Sequence, residues 1–205
     1  MVGSEGGKIR IKDNPPLIYH LPDEDPDTVM ATVRKAFGAY LKTVPKHVRH
    51  VLDQFDLVDI AVKVVGVGSV GTACAVLLLM AEERDPIFLQ VKEARASVLE
   101  PFAGASEHAN HGERIVVGAR IMQAASDMFL GWTTGREGRH FYVRQLKDMK
   151  VKVPVELLGP TDLFQYAALC ARALARAHAC TGEAARIAGY IGSGDVFPRA
   201  VTDFA

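Results

Sequence analysis

The sequence predicts an α+β fold: a mainly antiparallel five-stranded sheet carrying a helix, followed by part of a helical lobe. Three observations lead there. Short apolar, β-branched runs such as "VDIAVKVVGVG" and "IFLQVKEA" are divided by glycine-rich or charged turns. "FLGW" and "FYVRQLKDM" flank the Gly-rich "TTGREGRH", which reads as a hairpin. "TDLFQYAALCARALARAHAC" repeats its apolar residues at three and four, as an amphipathic helix does.

In chain order, residues 1–25 are rich in Gly, Pro and Asp and suit an extended connector. Residues 26–56 read as helical, with Asp27 or Thr28 as the cap of "TVMATVRKAFGAYLKTV" and Pro45 in the first turn of a second helix. Residues 57–150 hold the strands. Within them "TACAVLLLM" is ambiguous between strand and helix, because so short a run has no decisive period. "GERIVVGARIMQAASD" reads as a helix, capped by the polar loop "SEHANHGE". Residues 151–205 form a partial helical lobe: Thr161 is the expected cap of its long helix and Gly182 lies just past the end. The closing "FPRAVTDFA" stops inside an apolar stripe, so the chain is expected to be truncated there.

Composition narrows the partners. Of 205 residues, 24 are Lys or Arg and 24 are Asp or Glu, a balance that gives no nucleic-acid or anionic-membrane footprint. No apolar run reaches the roughly 20 residues a bilayer demands, and "MVGSEGGKIRIKD" lacks a signal core. With three cysteines and no metal-ligand spacing, the expectation is a cytoplasmic protein with no resident metal site and free thiols. Oligomeric state is left open.

The chemistry centres on "VVGVGSVG", a G-x-G-x-x-G pattern at Gly66, Gly68 and Gly71 with Ser69 at its tip. Two machines use it. In a Rossmann-type, NAD(P)-dependent oxidoreductase the glycines open a helix beneath a pyrophosphate, and Glu93, 22 residues past Gly71, falls where a ribose-binding acid belongs. In a protein-kinase-like lobe they turn a hairpin whose amides approach the phosphates of ATP. Lys92, 21 residues past Gly71, then takes the place of the phosphate-pairing lysine, and Glu113, 21 further on, offers its partner carboxylate. Gln145 and Leu146 stand at the hinge and complete the nucleotide contacts, with Mg²⁺ bridging the phosphates. The parallel strand–helix–strand units of the first reading are missing downstream, so the kinase-like one is preferred. In it Glu93 faces solvent. The bland alternatives are a tight turn for the glycines, an edge-strand charge for Lys92 and a solvated strand end for Arg144, Lys147, Asp148 and Lys150.

Six ordered blocks, "VKVVGVGSVGT", "PIFLQVKEARASVLEPF", "NHGERIVVGARIMQAASDMFLGW", "HFYVRQLKDMK", "YAALCARALARAHACTGEA" and "IAGYIG", resemble the C-terminal half of the bacterial domain of unknown function 2252 family. The likeness covers residues 50–205 and, more loosely, the helices before them. It implies a relation to the protein-kinase-like superfamily: ATP and Mg²⁺ binding, and phosphoryl transfer in the intact parent to an unknown small-molecule or protein acceptor. It also implies catalytic segments, G-D-x-H-x-x-N-F-G and N-D-F-D-E, upstream of the glycines, and neither occurs in these 205 residues. Ala73 stands where family members often carry arginine, and their helix acid falls nearer the position of Val117 than that of Glu113. A non-catalytic nucleotide-binding or structural fragment is the alternative.

Overall fold

A computed structural model describes residues 2–22, 25–66, 71–82, 85–146 and 153–204. The chain divides into two compact units, residues 1–118 with 126–150 and residues 119–125 with 151–205.

The first unit is built on a six-stranded antiparallel sheet, one strand more than expected. Its strands are β3 (Ile18–Tyr19), β4 (Asp56–Lys63), β5 (Cys74–Met80), β6 (Pro86–Ala94), β7 (Gly131–Thr134) and β8 (His140–Gln145), in the order β3-β4-β5-β6-β8-β7. The added strand comes from the segment expected to be a connector, where β1 (Val2–Glu5) and β2 (Lys8–Ile11) also pair as a separate hairpin. Apolar side chains drew this segment in: Ile11 and Ile18 are buried in the core. "TACAVLLLM" resolves as a strand, because both neighbours present a full ladder to it.

Side chains alternate across the sheet and each face carries its own core. On one face Leu77, Leu79, Leu89 and Val143 pack with Tyr40, Val48 and Leu52 from α1 (Pro26–Tyr40) and α2 (Lys46–Leu52). On the other, Ala61, Val76, Leu78 and Met80 pack with Ile11 and Ile18. We call these the helix face and the hairpin face. A β-bulge marks β4: Leu57 pairs with Leu79 but Asp59 pairs with Leu78, leaving Val58 as the extra residue. The bulge brings Asp59 to the hairpin face, where it accepts the Ile11 amide at 2.7 Å and lies 3.0 Å from His20 Nε2.

Helix α1 starts two or three residues before the expected point, because Asp25, not Asp27 or Thr28, is the cap; its carboxylate accepts the Thr28 amide at 3.0 Å. It is seated on β7 by Tyr40 Oη, which donates to Phe129 O at 2.7 Å, and by Thr133 Oγ1, which donates to Ala36 O at 2.7 Å. A short helix, α3 (Glu100–Ala103), precedes α4 (His111–Met122). Asn110 caps α4 by accepting the Gly112 amide at 2.8 Å, as the polar loop led one to expect. Gly112 is required there, since a Cβ would lie 2.3 Å from Phe141 O.

The second unit contains α5 (Pro160–Thr181), α6 (Ala184–Ile191) and α7 (Val196–Phe204). Gly159 precedes α5 with no side-chain cap, so Thr161 lies inside the helix; Gly182 follows it as expected.

Candidate functional site

The glycine pattern lies in the connection between β4 and β5. These strands run antiparallel, with Val62 opposite Ala75, and no helix intervenes between Gly71 and β6. Gly68 and Ser69 lie outside the described residues, as do Lys147, Asp148 and Lys150. Gly66 and Gly71 frame the stem, and Gly71 has φ +77°, which its lack of a Cβ makes accessible.

The stem is tied to β6. Glu93 Oε2 accepts the Ala73 amide at 2.8 Å, Arg95 Nε donates to Glu93 Oε1 at 3.2 Å, and Arg95 Nη2 donates to Gly71 O. Arg139 approaches the same carboxylate at 3.9 Å. Donation from the Ala73 amide, outweighing the opposing effect of burial and aided by Arg95, holds the Glu93 carboxyl below the usual glutamate range. Glu93 is therefore not the solvent-facing residue expected: its side chain is only 9% exposed. Alternation alone could not reveal this, because the partner amide belongs to a turn.

Lys92 occupies the hairpin face at the foot of the same stem. In register it lies between Cys74 on β5 and Tyr142 on β8. Gln90 Nε2 donates to Cys74 Sγ at 3.5 Å, and Arg144 Nε donates to Gln90 Oε1 at 3.3 Å. Burial pushes the Cys74 thiol up, while the Gln90 hydrogen bond and the positive charges of Lys92, Lys63 and Arg144 pull against it. Three cations thus converge on one half-buried patch, and among the described residues none of the three forms an ion pair. Such a patch suits an anion with several oxygens. Lys63 was missed in the sequence. The signal for it was there: it falls on the hairpin face of β4, two residues after Ala61.

The remaining predicted residues are not gathered at this patch. Glu113 lies 3.9 Å from His108 Nδ1, and no ion pair joins it to Lys92 within 4.0 Å. The Gln145 amide donates to Asp127 Oδ2 at 2.7 Å and the Leu146 amide to Phe88 O at 2.9 Å, so both hinge N–H groups are engaged. Asp127, beyond the end of α4, holds the end of β8 through that bond. Among the described residues no three His, Cys, Asp or Glu side chains gather to hold a metal ion, and no helix is long and apolar enough to cross a membrane. Cys74, Cys170 and Cys180 are free thiols, as expected.

Comparison with known families adds one match. The family described as "Uncharacterized protein conserved in bacteria (DUF2252)" matches residues 1–205. The chain belongs to this family. The match takes in the N-terminal hairpin and α1 as well as the blocks from residue 50 onward. No curated protein and no solved structure matches the chain. Within this DUF2252 chain, then, the patch around Lys92 must be interpreted from its own geometry.

Proposed function

We propose that the first unit of this DUF2252 chain binds the phosphates of an adenine nucleotide, in the manner of a protein-kinase-like lobe, where the 64–73 connection meets Lys92. The observation that carries the proposal is the convergence of Lys63, Lys92 and Arg144 around Cys74 without ion-paired carboxylates. The order of parts supports it: a glycine-bearing antiparallel hairpin, a third strand with its lysine, a helix and a second hairpin follow the sequence of a kinase signature. The dinucleotide reading calls for a helix opening at the glycines and a parallel crossover, and β5 occupies that place as an antiparallel strand.

In this reading the site serves phosphoryl transfer to a small-molecule or protein acceptor. Mg²⁺ enters this reading as an ion carried on the nucleotide's phosphates, and no residue of the chain is assigned to hold it. Base recognition through the Gln145 and Leu146 N–H groups is not part of the proposal, because those donors are already engaged. Glu113 is not assigned as the partner of Lys92.

Titration with a fluorescent ATP analogue tests the reading. Wild type should bind, and Lys92→Ala should bind at least about tenfold more weakly, the scale of one lost charge-assisted contact. Equal affinity in both proteins, or no binding by wild type, overturns it.

A further inference from the structure

A second site lies on the other face of the same sheet. Between α1 and the helix face there is a cavity of ≈ 560 Å³, within the range of small-molecule pockets. The residues that enclose it explain its existence. Farther along the same face Leu77, Leu79 and Leu89 fill the space beneath the helices and are fully buried or nearly so. Toward the glycine stem the corresponding positions are Ala73 and Ala75, and the helix above contributes Ala36. Three methyl groups stand where a closed core would hold larger side chains. As a result Val33, Val62, Val91 and Phe141, which would be covered in a tight helix-on-sheet layer, remain only half-buried. Protein interiors are close-packed, and an apolar cleft of this size that opens to solvent on one side is the kind of space in which small molecules bind.

One side of the cavity is charged. Arg136 and Arg139 are among its lining residues, both are exposed, and Arg139 lies over the Phe141 ring, its guanidinium carbon 5.8 Å from the centroid. The arginines therefore stand on the solvent side of an apolar chamber. Lys92 does not line the chamber; its side chain belongs to the hairpin face.

We infer that this cavity binds a long-chain monocarboxylate, its single acyl chain lying between α1 and Ala73 and Ala75 and its carboxylate held at Arg136 and Arg139. An apolar enclosure selects a tail, and a cationic rim selects an anionic head over a neutral one. The cavity borders the nucleotide patch, with Lys63, Cys74 and the stem residues Gly71 and Thr72 on their common edge, but its apolar floor and its arginines lie away from Lys92, and the inference does not rest on nucleotide binding.

Isothermal titration of the full chain with monomeric octanoate, decanoate and dodecanoate tests the inference. Affinity should rise roughly fourfold with each methylene added, the increment of burying one CH₂, until the chain outgrows the chamber. Dodecanoate should bind more tightly than dodecanol, and Arg139→Gln should shrink that preference. Ala75→Phe, which fills the floor, should abolish binding with the far-ultraviolet circular dichroism unchanged. If that variant fails to fold, Ala36→Leu, on the opposite wall, and the chain-length series still decide. Lys92→Ala should bind dodecanoate as wild type does, so that failure of the nucleotide proposal and failure of this one are separable. Absence of dodecanoate binding up to about 1 mM, an affinity independent of chain length, undiminished binding by a folded Ala75→Phe, or association with phosphatidylcholine vesicles but not with monomeric dodecanoate overturns the inference.

Discussion

Glu93 and Ala73 are joined by a hydrogen bond of 2.8 Å from the backbone amide of the turn to the carboxylate of the strand. It ties the glycine stem to β6: Ala73 follows Gly71 by two residues, and Arg95 fastens both Glu93 and the Gly71 carbonyl. The bond is also sensitive to acid. The folded-state pKa of Glu93 lies below its ordinary 4.5. Its contribution to stability is therefore complete above that ordinary value and is lost as the pH falls from there through the lowered folded value. Glu93→Gln should be less stable than wild type at pH 7, and the gap in melting temperature should close as the pH is taken down to 3. A gap that stays constant with pH would show that the carboxylate's charge is not what holds the turn.

Salt should weaken the nucleotide site. The three cations are half-exposed, and charges in contact with solvent are screened over about 10 Å at 0.1 M ionic strength. Affinity for the fluorescent ATP analogue should fall steadily from low to high NaCl, and the slope should be shallower in Lys63→Ala and Arg144→Ala than in wild type. Identical slopes in all three proteins would remove Lys63 and Arg144 from the site.

Asp59 should prove more costly to remove than most surface acids. It accepts the Ile11 amide at 2.7 Å and lies beside His20, and it is itself buried. Asp59→Ala leaves a buried amide without its acceptor, a loss on the order of 1–3 kcal/mol. Urea denaturation should report that loss, and hydrogen exchange should show faster exchange at the Ile11 amide. Unchanged protection of that amide would argue that solvent or another acceptor replaces Asp59.

Gly112→Ala tests how closely α4 is docked. The added methyl would meet Phe141 O at 2.3 Å and Phe141 C at 2.8 Å, and these backbone atoms have little room to yield. A destabilisation of roughly 1–3 kcal/mol is expected from such overpacking, although alanine is the better helix former. Thermal denaturation distinguishes the two effects by sign.

Much of the architecture could be read from the chain. The antiparallel hairpins were legible because turn chemistry and apolar runs agree, and α4 because Asn110 precedes a helical stripe. The N-terminal strands were not, since their apolar residues, Ile9, Ile11 and Ile18, are scattered among Gly, Pro and Asp, and only tertiary burial makes them strands. The site divides in the same way. Lys92 could be proposed from its spacing to the glycines and Lys63 placed two residues after Ala61, but that Lys63 and Arg144 meet Lys92 depends on register between strands distant in sequence. The role of Glu93 was hidden for the same reason. The cavity was illegible because a small residue signals space only when the opposite wall is known.

The extra residue at Val58 bears on how β4 tolerates changes of length. Leu57 and Asp59 already face adjacent partners, Leu79 and Leu78, across the ladder. Excising Val58 would leave an unbroken pleat with every later side chain on its present side. Excising any single residue from Ile60 to Val62 would instead swap the two faces beyond the cut and carry Lys63 away from Cys74. The strand has one place where its reading frame can slip without harm, and it lies before Lys63.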